Sequence, residues 1–344
     1  MVKKQQSSNL FSLDDFFQNE KQIIPFSPSI DLISGGGIVE GTWNIFVGEP
    51  KVGKTTAIMH FAAKCQRPEY GGRKVFYCNI ENRFKPRDAY SIPGLDASKF
   101  FVISSSKEEK NEEGETTAGK ILSAEQHLTE LYDCLKDNPG AIGVIDSESA
   151  LCTEAEMTGA MNEMQRADGA KLMSKFIRKI NPILSVNNNI ILSVRHIMSN
   201  PGGYGAPTKE KGSNAGSYQV DFKLRAEKKE KWEVNEKPIG QIVTWRLETG
   251  YLDGAIPSTS IKSYMRYGFG IDESYELMQL GIDFALIEKS GSWYQCIFGK
   301  NHSELGDWTD KSAKFQGEEK LYQFLKANPD WFNALNSDLK KLLK

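Results

Sequence analysis

The chain is poor in the residues that build metal clusters and disulfide frameworks. It has only four histidines, and they form no ligand cluster. Its five cysteines, Cys65, Cys78, Cys134, Cys152 and Cys296, are odd in number, scattered and without metal spacing. Several lie in apolar runs, which predicts buried free thiols in a reducing compartment rather than a stapled secreted fold. No secretory leader pattern opens the sequence, and no apolar run is long enough to span a bilayer, so no membrane partner is expected. Charge of either sign is not in excess. The net charge of −2 excludes bulk charge as a route to a polyanion, and any such binding must come from local patches. No internal repeat is found. What remains is an ordinary soluble composition, 39% hydrophobic and 26% charged, in 344 residues. That length suits one large domain with smaller lobes.

One segment carries a strong chemical signal. "NIFVGEPKVGKTTAIMHFAAK" runs from Asn44 to Lys64. Residues 44–47 read as a short buried strand, and Ala57, Ile58, Phe61 and Ala62 fall at helical spacing. Between them lies the loop Gly48, Glu49, Pro50, Lys51, Val52, Gly53, Lys54, followed by Thr55 and Thr56. Strand, glycine loop and helix start form the context of a phosphate-binding loop. Glycines let backbone N–H groups wrap an anion, and the helix N-terminus adds partial positive charge. Lys54 can reach the β- and γ-phosphates of ATP, and the Thr55 hydroxyl can ligate Mg²⁺.

From Ser29 to about Gly270, strands are expected to alternate with helices. "KVFYCNI" (74–80), "AIGVIDSE" (141–148) and "NIILSV" (189–194) are continuous apolar runs, as parallel strands covered on both faces require. Helical patterns occupy 120–136 and 163–181, and 104–120 reads as a charged, solvated loop. This order argues an α/β sheet with ligands at the strands' C-terminal ends. Each end carries a polar residue. Asp146 suits a second Mg²⁺-side ligand, and Glu81 could activate the water that attacks a γ-phosphate, although capping roles remain open for both. Arg195 and His196 end the third strand, where His196 could sense a γ-phosphate or be structural. The glycine-rich segment 198–217, with Lys209 and Lys211, follows at the ligand end. Near the N-terminus, "SLDDFFQNEKQ" fits a short amphipathic helix capped by Ser12, whose Phe16 and Phe17 pack either on their own domain or on a neighbouring subunit. Beyond Gly270 the pattern changes to a small α+β lobe.

These features fall in the order seen in RecA-type recombinases. "GEPKVGKTT", "FYCNIEN", "IGVIDSESAL", "GSNAGSYQVDFKLR" and "YGFGIDESYELMQLGIDFALIEKSGSWYQ" each resemble a segment of that family, and the resemblance covers roughly residues 10–330. Within it the chain looks closest to the phage UvsX type. "FFQNEKQIIPFSPSIDLISGG" resembles the N-terminal segment of that branch, and His196 stands where bacterial members usually carry Gln. The resemblance implies a RecA-type P-loop ATPase core with a mostly parallel sheet over 29–270. It also implies an N-terminal polymerisation segment at 1–28 and a C-terminal lobe at 271–344. The implied activity is DNA-dependent ATP hydrolysis coupled to strand exchange, with ATP and Mg²⁺ as cofactors. The implied partners are single- and double-stranded DNA and further copies of the chain in a helical filament. A single-strand-binding protein and a mediator protein complete the expected partners, and the expected location is the cytoplasm, the host's if the chain is phage-encoded.

The roles carried over are catalytic for Lys54, Glu81 and His196, and Mg²⁺-side for Thr55 and Asp146. The first DNA loop falls near Glu156–Arg166, with Met164 and Arg166, and the second at Met198–Ser217, with Met198, Lys209 and Lys211. Tyr218 resembles a filament-contact aromatic. Tyr267 resembles an aromatic lying against the adenine of a neighbouring protomer's nucleotide. Two departures stand out. Where bacterial members place two Lys that reach across to the next protomer's phosphates, this chain has Arg246 and Glu248. Met198 and Asn200 replace basic residues early in the second loop, leaving Lys209, Lys211, Lys223 and Lys228 as phosphate contacts. A RecA-fold hexameric helicase and a nucleotide-gated DNA-binding regulator remain open as alternatives.

Overall fold

A computed structural model describes residues 20–106, 108–160, 168–199, 208–211, 220–234, 236–306 and 313–342. Near its start, helix α1 (Pro28–Ser34) follows a short ribbon that pairs Ile23–Ile24 with Ile38–Val39. Strand β1 (Trp43–Gly48) is buried at every position and leads into helix α2 (Lys54–Cys65). Strands β2 (Val75–Asn79), β3 (Phe100–Ile103), β4 (Ile142–Asp146) and β5 (Ile190–Ser199) follow. Helix α3 (Ala124–Asp137) precedes β4, and helix α4 (Asp168–Asn187) precedes β5. The apolar runs in 74–80 and 141–148 thus become β2 and β4, interior strands that are buried everywhere except at Asn79, the last residue of β2.

The remaining strands of this sheet are β6 (Thr208–Lys211), β7 (Phe222–Val234), β8 (Lys237–Thr249), β9 (Ser260–Arg266) and β10 (Gly270–Ile271). The order across the sheet is β10-β9-β8-β7-β1-β5-β4-β2-β3, with β6 paired to the end of β5. From β7 to β3 every neighbouring pair is parallel, whereas β7 to β10 and the β5–β6 pair are antiparallel. This corrects the expectation of alternation up to Gly270. Between Val220 and Gly270 the described residues hold no helix, because β7 and β8 form one long antiparallel pair, in which residues 227–231 of β7 are charged and mostly exposed. The segment 104–120 also departs from the expected loop. Although exposed, it contains a small ribbon pairing Glu108–Lys110 with Thr116–Ala118.

Two apolar layers cover the sheet. On one face Phe46, Ile58, Phe61, Val144, Leu192 and Trp245 pack together, with α2 across them. On the other, Trp43, Val47, Ile145 and Ile191 meet Leu131 of α3 and Ile177 and Ile180 of α4. Residues 271–342 build a third cluster. Helix α5 (Glu273–Asp283), strands β11 (Ile287–Ser290), β12 (Trp293–Cys296) and β13 (Lys314–Gln316), and helices α6 (Glu318–Ala327) and α7 (Pro329–Lys341) enclose Leu277, Phe298, Leu321 and Leu335. Leu32 of α1 belongs to the same cluster. Polar ties also cross to the sheet. Glu273 pairs with Lys64 of α2 at 2.7 Å and with His60 at 2.8 Å. Glu276, fully buried, accepts from the Ser29 N–H at 3.1 Å and from the Ser263 hydroxyl.

Of the cysteines, Cys65, Cys78 and Cys296 are buried as expected, whereas Cys152 is exposed. No described helix is long and apolar enough to cross a membrane.

Candidate nucleotide site

Parallel register gathers the sequence's candidate residues at one end of the sheet. The β1–β5 pairing sets Gly48 beside His196, and the β2–β4 pairing sets Asn79 beside Asp146. Glu81 follows two residues later. The resulting cleft, about 1210 Å³, is lined by Pro50, Lys51, Gly53, Lys54, Thr55, Thr56, Glu81, Asp146, His196 and Tyr267 among others. It is large enough for a nucleotide and lies where open α/β sheets bind ligands.

Loop 48–53 turns sharply before α2. Lys51 and Gly53 both have left-handed backbones, with φ of 62° and 105°. At Gly53 a Cβ would also lie 2.5 Å from the Met265 sulfur, so the flexible Met265 side chain would have to shift, and the backbone angle is the firmer reason for glycine here. Gln241 of β8 adds a hydrogen bond from Nε2 to the Val52 carbonyl at 3.1 Å. Glu49, Pro50 and Lys51 are exposed at the loop's tip, and Val52 is buried beneath it. No described side chain caps α2, whose first N–H groups therefore present partial positive charge to the cleft.

Lys54 is almost fully buried. Its Nζ donates to the carbonyls of Gly48 (2.9 Å) and Glu49 (2.7 Å). Burial pulls its pKa from 10.5 down to about 8, against the pull of Asp146, Glu81 and Glu49. The Thr55 hydroxyl donates to Asp146 Oδ2 at 2.7 Å, and so does the Tyr77 hydroxyl. Burial raises the Asp146 pKa above its usual range, although these two hydrogen bonds favour the carboxylate. A divalent cation would suit this buried acid. Among the described residues no three His, Cys, Asp or Glu side chains form a complete cage. A hydroxyl and one carboxylate, completed by phosphate oxygens and water, is a donor set that Mg²⁺ accepts. The residues therefore fit the metal.

Across the cleft, Glu81 Oε1 accepts from the Ser147 hydroxyl at 2.6 Å and from His196 Nε2 at 2.8 Å. Partial burial opposes ionisation here, but the two hydrogen bonds outweigh it and hold the Glu81 pKa below the ordinary carboxylate value. His196 is thus in direct contact with Glu81, and its backbone N–H donates to the Ser149 hydroxyl at 2.9 Å. The geometry can hold a triphosphate, balance its charge and place a carboxylate base opposite.

Tyr267, largely exposed, sits on the turn after β9 and lines the same cleft as Lys54 of its own chain. The turn that carries it therefore borders the cleft of its own chain. Lys223 is engaged with Glu210 and Glu248, at 2.7 and 2.9 Å, and Lys228 pairs with Glu230. Arg246 approaches Glu227 at 3.4 Å. Phe16, Phe17, Met164, Arg166 and Tyr218 lie outside the described residues. Met198, Lys209 and Lys211 are placed only as backbone, on the paired strands β5 and β6. Sequence reasoning passed over Ser147, Tyr77 and Gln241. Ser147 directly follows Asp146 at a strand end, a signal that could have flagged it. Tyr77 sits inside an apolar run and Gln241 on a distant strand, so neither left a local trace.

Comparison with known proteins gives a consistent result. Family models for the RecA N-terminal domain and the RecA C-terminal domain match residues 15–272 and 275–344. The chain is 28% identical over 324 residues to Protein RecA of Thermotoga neapolitana, covering 93% of this chain and 84% of that one. It is 27% identical over 341 residues to Protein RecA of Oleidesulfovibrio alaskensis, covering 98% and 87%. The chain belongs to the RecA family.

Proposed function

From this membership of the RecA family we propose that the chain is an ATP-dependent recombinase. It assembles as a helical homo-oligomer on single-stranded DNA, pairs that strand with a homologous duplex and exchanges strands. The observation that carries the reading is the convergence, in one cleft, of an anion-binding loop, the Thr55–Asp146 pair and the Ser147–Glu81–His196 cluster.

Each residue has a role in ATP hydrolysis. The 48–55 backbone and the α2 N-terminus hold phosphate oxygens, and Lys54 leaves its loop carbonyls to meet the β- and γ-phosphates. Mg²⁺, held through Thr55 and Asp146, would supply further positive charge at those oxygens. Glu81, ionised at neutral pH, orients a water and takes its proton. His196 reports on the γ-phosphate through the same hydrogen bond that fixes Glu81. Tyr267 closes over the base. Met164 and Arg166 in the first DNA loop and Met198, Lys209 and Lys211 in the second contact DNA. Residues 1–28, with Phe16 and Phe17, and Tyr218 make protomer contacts. Within the family, the "FFQNEKQIIPFSPSIDLISGG" segment and His196 support the phage UvsX branch, which would place the protein in a host cytoplasm with a single-strand-binding protein and a mediator as partners.

Electron microscopy with single-stranded DNA and a non-hydrolysable ATP analogue tests the assembly, and a strand-exchange assay tests the activity. Helical filaments with exchange are expected. Closed rings that unwind duplex DNA would favour a helicase, and nucleotide-gated DNA binding without exchange would favour a regulator.

A further inference from the structure

A second layer of charge lies behind the cleft. The side chain of Arg195 is 2% exposed and that of Glu148 1% exposed. Arg195 donates from Nη2 and Nε to Glu148 Oε2, at 2.8 and 3.1 Å, and from Nη1 to Glu210 Oε2 at 3.0 Å. Glu210 also receives Lys223 at 2.7 Å and Arg225, and both of these cations meet Glu248 as well. Three cations thus balance three carboxylates. None of the six lines the nucleotide cleft.

The chain neighbours of this network do line it or touch it. Glu148 directly follows Ser147, and Arg195 directly precedes His196. Ser147 and His196 are the two donors to Glu81 Oε1. The Arg195–Glu148 pair therefore joins the segment just after β4 to the middle of β5, one residue from each donor. A buried ion pair is a poor device for stability alone, since an apolar pair of similar volume often serves as well. A guanidinium fork, by contrast, fixes direction as well as distance. Glu210, the fork's other partner, lies on β6, the strand that pairs antiparallel with β5 and sets Lys211 beside His196.

We infer that Arg195 is a positioning residue: through Glu148 it sets the spacing of Ser147 and His196, and so the seat of Glu81, and through Glu210 it makes that seat depend on the position of β6. DNA bound next to β6 would thereby act on hydrolysis without touching the nucleotide. The inference rests on the proposed roles of Glu81 and of DNA.

The test is steady-state ATP hydrolysis by the full chain, with and without single-stranded DNA. Arg195→Lys keeps the charge but loses the fork. It should lower kcat about tenfold and leave KM for ATP within about twofold, a split that a general loss of folded protein would not give. Glu210, with 20% of its side chain exposed, is the safer substitution. Glu210→Gln should keep DNA-free kcat within about twofold and reduce the factor by which DNA raises kcat at least about fivefold. The double variant should show no smaller DNA effect than the worse single variant, because both act on one path. A Glu210→Gln protein stimulated as strongly as the parent, or a double variant losing the product of the two single losses, would overturn the inference and leave the proposed function standing. A parent whose hydrolysis ignores DNA would overturn both.

Discussion

Replacing Glu81 by Gln isolates the base from its scaffold. The amide keeps an oxygen that can accept the 2.6 Å hydrogen bond from Ser147 and the 2.8 Å bond from His196, so neither donor need move. What is lost is basicity. A positioned general base contributes roughly 10²–10⁴-fold, or about 3–5 kcal/mol of barrier, and kcat should fall by that order. The change to the fold should be about 1 kcal/mol, the difference between a charge-assisted and a neutral hydrogen bond. Affinity for a fluorescent ATP analogue should survive, because Lys54 and the loop backbone are untouched. Glu81→Asp withdraws the carboxylate by about 1.5 Å, beyond reach of both donors, and should fall between Gln and the parent. The pH profile adds a second check. Because the two hydrogen bonds hold the Glu81 pKa below 4.5, the acid limb of kcat/KM assigned to this group should lie below that pH. Coupled-enzyme ATPase rates, anisotropy for binding and circular dichroism for the fold complete the set. A folded Glu81→Gln protein hydrolysing ATP within about threefold of the parent would refute the assignment.

Other perturbations probe the site and the fold. Lys54→Ala removes a side chain whose hydrogen bonds go to two loop carbonyls, so melting should change little while calorimetric affinity for an ATP analogue falls roughly 10–100-fold; unchanged affinity would reject Lys54 as a phosphate ligand. Glu273 is pushed from 4.5 down to about 2, because Lys64 and His60 outweigh its burial. Its folded pKa is below its unfolded one, so its contribution, about 3 kcal/mol, is present above pH 4.5 and lost as pH falls toward 2. Glu273→Gln should accordingly lower urea stability at pH 7 and converge with the parent near pH 2, and a constant difference across that window would reject the linkage. Glu276 is raised by burial from 4.5 to about 7, so its effect has the opposite sign: stability is greatest below 4.5 and declines as pH rises through 7. Glu276→Gln should flatten that decline, and an unaltered slope would count against it. Leu277→Ala opens a cavity in the C-terminal cluster, where Leu277 is 0% exposed, and should cost about 2–5 kcal/mol in denaturant titrations; a loss under about 1 kcal/mol would show that the cluster collapses around the gap.

The legible parts of this molecule were those written in contiguous residues. Runs such as "FYCN" and "IGVID" read as strands covered on both faces, and the polar residues at their ends mark candidates for the ligand end. The loop from Gly48 to Thr55 was legible for the same reason. Contacts between distant segments were not. Residues 148, 195, 210, 223, 225 and 248 meet only because β4, β5, β6, β7 and β8 converge, and nothing in the local pattern marks Arg195 as buried. The long β7–β8 pair leaves little local trace because residues 227–231 of β7 carry the lysines and glutamates of a solvated surface. That the turn carrying Tyr267 borders the same cleft as Lys54 is equally invisible locally, because chain order does not show where the turn after β9 folds.

The ties between α5 and the sheet bear on how the molecule comes apart. The two family models meet between residues 272 and 275, yet Glu273 grips Lys64, Glu276 reaches the Ser29 N–H, and Leu32 is packed among the residues of the C-terminal cluster. Opening that junction would strand a buried carboxylate and expose apolar surface on both sides at once, so partial opening has no cheap intermediate. The described core and C-terminal residues are then expected to melt together, in one calorimetric transition; two separate transitions would refute this. The junction is a seam in the sequence families and not a seam in the unfolding landscape.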